Sequence, residues 1–255
     1  IKEPKEMPSL YLTGGPGIGK SSVVKQAAEE EGVNCIDIRL LLLDVTDLRG
    51  IPVPTKDGKA KWLPPSFLPT EGRGVLFLDE INCAPPLIQN TALQLVLDRK
   101  IGEYELPNDY CVIAAGNREM EAIVHRMSPA LLNRFTHIDF GANPFPDADD
   151  IDEWVMWAIK NNIDPRIIGF ISKFRANLLY QFDPQKRAWP SPRTWEFVSK
   201  ILSNKVPKDI MFDLIKGSVG EGAAIELKTY LEIWSELPDL DEILRGKNII
   251  PNSVD

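Results

Sequence analysis

Five short apolar runs punctuate the first part of the chain: Ser9–Thr13, Asn34–Ile38, Gly74–Leu78, Tyr110–Ala114 and His137–Phe140. Each predicts a strand. Between the first two, Ser21 to Glu31 carries neither Gly nor Pro and predicts a helix. Strands that alternate with helical or loop segments predict a parallel sheet covered on both faces. Ligands of such sheets bind at the carboxyl ends of the strands.

The pattern changes in the second part. Asn143-Pro144-Phe145-Pro146-Asp147 reads as a linker-like break. Beyond it Ile151, Trp154, Val155, Ala158 and Ile159 recur at helical spacing and line one face. Further helices are expected over Pro165 to about Tyr180, Pro192 to Leu202, Pro207–Ile215 and Ala223–Ser235. The layout is therefore an α/β core over residues 1–142 and an all-helical lid with C-terminal helices over 143–255.

Two segments of the core stand apart. Residues 39–73 hold Pro52, Pro54, Pro64, Pro65 and Pro69, with Trp62 and Phe67 among them. Prolines at this density prevent a continuous helix. The stretch reads equally as a surface loop pinned by its aromatics and as an insertion that lines a pore or contacts a partner. Residues 98–109 include an alternating run, Lys100 to Asn108, which predicts a small hairpin before the fourth strand.

Composition narrows the class. The 255 residues are 44% hydrophobic and 26% charged, as expected of a globular chain with a sizeable core. A net charge of −8 argues against nucleic acid as a general partner, although a local basic patch or pore is compatible with it. No apolar run approaches the roughly 18 residues that span a membrane, so no membrane association is expected. No signal peptide is visible, although Ile1 is not an initiator methionine and upstream residues are not excluded. Cys35, Cys83 and Cys111 form no C-x-x-C pair; Cys35 and Cys111 sit in apolar runs and read as buried, reduced thiols. With His125 and His137 as the two histidines, a zinc site has no ligand set. These features place the chain in a reducing cytoplasm.

The first apolar run leads into Gly14-Gly15-Pro16-Gly17-Ile18-Gly19-Lys20-Ser21, which fits the phosphate-binding pattern G-x-x-x-x-G-K-[ST]. Strand, glycine loop and helix follow in the order that this pattern requires. Backbone N–H groups of Gly15–Gly19 would cradle phosphates at the positive end of the helix. The loop from Gly14 through Ser22 is the expected ATP site, with Lys20 on the outer phosphates and the Ser21 hydroxyl on Mg²⁺. About 60 residues on, Gly74–Leu78 ends in Asp79-Glu80. Asp79 is expected to hold the metal, directly or through water. Glu80 is expected to act as general base on the attacking water.

Three further residues complete the candidate set. The run Tyr110–Ala115 delivers Gly116-Asn117, and Asn117 suits a water-positioning residue. That reading is strengthened if its strand lies between those of the glycine loop and the carboxylate pair, the arrangement typical of ATPases with a catalytic glutamate. Ser128-Pro129-Ala130-Leu131-Leu132-Asn133-Arg134-Phe135 predicts a short helix with Ser128 as N-cap and Pro129 at its first position. Arg134 then stands before the fifth strand, where it suits a finger reaching a neighbouring subunit's γ-phosphate; the plain alternative is a surface ion pair. Arg193, in Ser191-Pro192-Arg193, falls in the first turn of a helix. A cation is electrostatically poor there, which suits an anionic partner such as phosphate, with ordinary capping as the alternative.

Together these residues resemble the AAA+ ATPases, and within them the MoxR branch. The resemblance covers Leu10 to about Leu202. Asp79-Glu80-Ile81-Asn82-Cys83-Ala84 is similar to the family's D-E-I-N-R-A extension, and Gln89-Asn90-Thr91-Ala92-Leu93-Gln94 to the helix that follows it. Asp47-Leu48-Arg49-Gly50 resembles the family's D-L-T-G segment. Leu132-Asn133-Arg134-Phe135 resembles its finger helix, Ser191-Pro192-Arg193 its sensor 2 motif, and Lys100–Asn108 its pre-sensor 1 hairpin. In the lid, Gly220–Ala224 and Leu237-Pro238-Asp239-Leu240 resemble phage and bacterial MoxR-like proteins. Cys83 departs from the family by standing where it carries arginine. The Pro-rich stretch is also longer than in many members.

The resemblance implies a P-loop AAA+ core whose five-stranded parallel sheet lies between helices. It also implies homo-oligomeric assembly, usually a hexameric ring, with ATP and Mg²⁺ between neighbours. The implied activity is ATP hydrolysis coupled to remodelling or activation of a protein complex, often beside a von Willebrand factor A-type partner. Two other readings stay open on the residues alone. One is a nucleic-acid motor of the MCM helicase type. The other is a module in which bound nucleotide controls assembly without hydrolysis.

Overall fold

A computed structural model describes residues 4–118, 125–140, 148–174, 176–204 and 206–236. The chain divides into two compact units, Ile1–Ala142 and Asn143–Asp255. The break predicted at Asn143–Asp147 and the motif at Leu237–Leu240 lie outside the described residues.

In chain order the first unit contains β1 (Ser9–Thr13), α1 (Lys20–Glu30), β2 (Asn34–Arg39), α2 (Val45–Arg49), β3 (Ile51–Pro54), β4 (Ala60–Leu63) and β5 (Gly74–Asp79). It continues with α3 (Pro86–Asp98), β6 (Lys100–Ile101), β7 (Tyr104–Glu105), β8 (Tyr110–Gly116), α4 (Pro129–Leu132) and β9 (Phe135–Asp139). Five strands form one parallel sheet in the order β2-β5-β8-β1-β9. Strand β5 is buried along its whole length, which explains its unbroken apolar run. Its side chains alternate between two cores: Leu76 and Leu78 join Ile81, Leu95 and Leu106, whereas Val75 and Phe77 join Leu12, Val24 and Ala115.

The fifth strand begins at Phe135, two residues before the apolar run that marked it. Phe135 is its buried anchor and packs on Tyr11 with ring centroids 5.5 Å apart. The rest of this edge strand is exposed. Cys35, Cys83 and Cys111 are free but half-buried, less enclosed than expected for the first and last.

The Pro-rich stretch is an ordered substructure and not one plain loop. Asp44 caps α2, and Asp47 returns the bond by accepting from the Asp44 N–H at 2.9 Å. Gly50 (φ 91°) then lets the chain turn where a Cβ would stand 2.0 Å from the Leu63 carbonyl oxygen. Strands β3 and β4 pair antiparallel from Ile51 opposite Leu63 to Pro54 opposite Ala60. A two-stranded ribbon tolerates Pro52 and Pro54 because the missing donors can face outward. The Arg49 guanidinium lies 4.4 Å from the centre of the Trp62 ring, so this aromatic does pin the insertion. The small hairpin before β8 is present as β6 and β7, fastened by the Tyr104 hydroxyl donating to the Pro69 carbonyl at 2.7 Å.

The second unit is helical: α5 (Ala148–Lys160), α6 (Pro165–Phe174), α7 (Ala176–Leu179), α8 (Pro192–Ser203), α9 (Lys208–Val219) and α10 (Glu221–Glu236). The helix expected from Pro165 to about Tyr180 is met by α6 and α7, with residue 175 between them outside the described residues. The fully buried Trp195 organises the core: its ring packs on Phe170, and its Nε1 donates to the Leu178 carbonyl at 2.6 Å. No helix among the described residues is long and apolar enough to cross a membrane.

A buried carboxylate ties α6 to α8. Asp164 accepts two bonds from the Arg166 guanidinium, at 2.9 and 2.6 Å, and one from the Arg166 N–H at 3.0 Å. Ser203 donates to it at 3.4 Å, and the Asp164 N–H donates to Ser199 Oγ at 2.8 Å. Burial raises the Asp164 pKa, but the Arg166 hydrogen bonds and charge and the Ser203 hydroxyl outweigh it and hold the carboxyl below the usual carboxylate range. Asp164→Asn should destabilise the protein by about 2–3 kcal/mol at pH 7, less than a fully buried pair because Arg166 is 34% exposed. A depressed carboxylate stabilises above its unfolded pKa of about 3.9 and loses that contribution as pH falls through its folded value. Urea unfolding followed by tryptophan fluorescence should therefore show the two proteins converging below about pH 4.

Candidate nucleotide site

The carboxyl end of β1 runs directly into the glycine loop. Gly17 (φ 81°) and Gly19 (φ 104°) adopt left-handed backbone that side chains disfavour. At Gly14 a Cβ would meet the Phe140 carbonyl oxygen at 2.4 Å and Ile18 Cδ1 at 2.5 Å. Gly15 is buried, Pro16 is half-buried, and the Ile18 side chain is buried beneath the loop as its anchor. Helix α1 starts at Lys20 with Gly19 as N-cap and no side chain closing its N-terminus. That end suits an anion. Ser22, one position past Ser21, is exposed.

Lys20 is 8% exposed. Its ammonium donates to the carbonyls of Gly14 and Gly15 at 2.8 and 2.9 Å and to Asn117 Oδ1 at 3.1 Å. A buried ammonium needs such partners. Here they hold the charge at the loop, next to the amide of Asn117. Ser21 Oγ donates to Asp79 Oδ2 at 2.7 Å, and Asp79 Oδ1 accepts from the Glu80 N–H at 2.9 Å. A hydroxyl and a carboxylate in direct contact are hard oxygen donors of the kind Mg²⁺ takes, so these two side chains fit that ion.

Glu80 follows with φ 56°, a left-handed conformation uncommon outside glycine. The turn is held by Cys83 and Ala84 N–H groups donating to the Glu80 carbonyl at 2.9 and 3.2 Å. Backbone held this way is characteristic of functional positions. Asn117 leaves the end of β8, which lies between β5 and β1 as the water-positioning role anticipated. Lys20, Ser21, Asp79 and Asn117 thus form one connected cluster at the strand ends, with Glu80 adjoining it on the backbone.

Neither arginine belongs to this cluster's hydrogen bonds. Ser128 caps α4, accepting from the Leu131 N–H at 3.2 Å, and Pro129 occupies the first position. Arg134 follows that helix, is exposed, and its side chain makes no hydrogen bond or ion pair among the described residues. Arg193 belongs to the second unit. There Ser191 and Thr194 form a complete capping box, so the exposed Arg193 takes no part in closing the helix.

Residues 10–141 match the family "ATPase family associated with various cellular activities (AAA)". The chain belongs to the AAA ATPases. Over 142 residues this AAA chain is 32% identical to replication factor C subunit 3 of Saccharomyces cerevisiae. The match takes in 55% of the chain and 37% of that relative, so the chain spans well under half of the relative's length. Two mutant forms of RuvB from Thermotoga maritima share the fold, with TM-scores of 0.50 and 0.51 at 17% and 18% identity. Those comparisons cover 95% of the chain and 71% and 72% of the RuvB chains.

Two residues of this AAA site were placed in the extension after Glu80 by their motif but were given no role in the site. Asn82, only 6% exposed, touches the backbone of Asn117, and Cys83 Sγ accepts from Asn117 Nδ2 at 3.5 Å. Burial raises the pKa of the Cys83 thiol against the opposing hydrogen bond from Asn117, so it stays protonated at neutral pH. The available signal for both was position: a polar side chain just past a wholly buried strand has few places to go except the neighbouring strand end.

Proposed function

We propose that this AAA protein is a MoxR-type ATPase. In this reading ATP hydrolysis in a homo-oligomeric ring, hexameric by family resemblance, drives remodelling of a protein complex, beside a von Willebrand factor A-type partner. One observation carries the reading most directly. Lys20, Ser21, Asp79 and Asn117 are assembled within one subunit, whereas Arg134 stands exposed with no side-chain partner among the described residues. A site that holds a lysine but no arginine in its own cluster fits completion by a neighbour.

The roles follow from the geometry. Lys20 exchanges its loop carbonyls for the outer phosphates of ATP. Ser21 and Asp79 would hold Mg²⁺, which when bound offsets phosphate charge. Asn117 orients water, Glu80 takes its proton, and water oxygen bonds to the γ-phosphorus as the bond to the ADP oxygen breaks. Arg134 of the next subunit steadies the charge that develops. Arg193 is assigned to the phosphates from either side of the interface. Three unpaired thiols fit a reducing compartment, the cytoplasm.

Phosphate release measured against protein concentration tests this. Turnover per subunit should rise as oligomers form and then level off; a rate per subunit independent of concentration would overturn the shared site. The similarity to replication factor C subunit 3 supports a second reading, action on DNA. The acidic balance of the chain weighs against it. Stimulation of hydrolysis by DNA that fades with rising salt would favour that second reading over protein remodelling.

A further inference from the structure

The end of the β5–β8 ladder shows how Asn117 is held. Strand β5 leaves the sheet at Glu80, yet one further ladder bond forms: the Ile81 N–H donates to the Ala115 carbonyl at 3.0 Å. On the other side of β8, the Gly14 N–H donates to the Gly116 carbonyl at 3.3 Å. The backbone of Asn117 points back toward β5, where no strand remains. The Asn82 side chain fills that place. Its Nδ2 donates to the Asn117 carbonyl at 2.6 Å, and its Oδ1 accepts from the Asn117 N–H at 3.0 Å.

A side-chain carboxamide is a planar group with one donor edge and one acceptor edge, like a peptide. Here one carboxamide meets both main-chain groups of Asn117, which a continuing parallel strand would meet with two successive peptides. Asp at this position would offer two acceptors and face the Asn117 carbonyl with one of them, and an apolar residue would satisfy neither group. The approach also explains Gly116. A Cβ there would lie 2.5 Å from Asn82 Oδ1 and 2.1 Å from the Tyr11 hydroxyl. Glycine before Asn117 is the least restrained residue, so without the clamp the strand end would wander. Asn82 is itself fixed, because its own carbonyl accepts from the His125 N–H at 2.7 Å.

The Asn117 side chain is the second half of the device. Its Nδ2 faces Cys83 Sγ and its Oδ1 faces the Lys20 ammonium. Backbone and amide orientation are thus both set by the two residues that follow Glu80 and Ile81. The segment that carries the base also sets the direction of the water-positioning amide.

We propose that Asn82 is the positioning residue of this site: its carboxamide stands in for the missing strand neighbour of Asn117 and fixes Asn117 beside Lys20. The proposal rests on the ATPase reading for its kinetic consequence but not for its structural one. Asn82→Asp is the sharper variant because it keeps volume and changes hydrogen bonding; Asn82→Ala removes both. In nucleotide-free protein, hydrogen exchange at the Asn117 N–H should speed up at least about tenfold in Asn82→Ala, which removes its acceptor, while Val112 and Ile113 in mid-strand are unaffected. In turnover, Asn82→Asp should lower the rate of phosphate release about 10- to 100-fold with ATP affinity held within about threefold. Placed in an Asn117→Ala background, it should cost less than about threefold more, because residues acting as one unit are not additive.

Unchanged exchange at Asn117, or equal loss of protection along all of β8, would overturn the clamp. Full additivity of the two substitutions would overturn it as well. No phosphate release from the native protein, at concentrations where it forms oligomers with ATP bound, would instead sink the ATPase reading and leave the exchange result standing.

Discussion

Glu80→Gln is expected to keep ATP binding and assembly while phosphate release falls by at least about 10²-fold. The substitution is close to isosteric. It leaves the Ser21–Asp79 contact and the Lys20 cluster in place, because none of their hydrogen bonds uses the Glu80 side chain. The bond that Asp79 Oδ1 accepts comes from the backbone of residue 80, so it also survives. What is lost is an acceptor able to take a proton from water. Glutamine tolerates the left-handed conformation at φ 56° no better and no worse than glutamate, so stability should hardly move. Equilibrium binding of a fluorescent ATP analogue, oligomer size in ATP, and single-turnover phosphate release separate these quantities. Native turnover in this variant would mean that the base lies elsewhere.

Much of this arrangement was legible before any coordinates. Strands β5 and β8, in the middle of the sheet, announce themselves because a parallel sheet covered on both faces demands apolar runs. The glycine loop is readable because its backbone conformations exclude other residues, as Gly17 and Gly19 demonstrate. What the sequence hid has physical reasons. Strand β9 lies at the sheet edge, so its exposed residues carried no burial signal and its start at Phe135 was missed. The β3–β4 ribbon pairs Pro52 with Trp62 and Pro54 with Ala60, and with no fully buried residue in either strand it has no buried face to impose alternation. Asn82 was invisible as a functional group because its role depends on Gly116 and Asn117, distant in sequence and adjacent only across the ladder. The capping residue Ser128 was readable because a cap is a local device, decided within four residues.

The largest loss is expected from Arg134→Ala: a fall of about 10³-fold or more in hydrolysis with ATP still bound, the range reported for arginine fingers. The position is built for reach. Leu131 and Phe135 are buried on either side, and the Arg134 N–H donates to the Leu131 carbonyl at 3.1 Å, so the backbone is anchored while the guanidinium stands in solvent. An exposed, unpaired arginine contributes little to the fold, so thermal stability should be unchanged within about 0.5 kcal/mol. Mixing provides the decisive measurement. In a ring assembled from equal parts Arg134→Ala and Glu80→Gln subunits, a site is whole wherever an Arg134→Ala subunit supplies Glu80 and its neighbour supplies Arg134. Random assembly makes about one site in four of that kind, so roughly a quarter of native turnover should return from two inactive proteins. Two proteins that stay inactive together, despite co-assembly, would mean that Arg134 does not act across the interface and that the shared site must be completed by another cation.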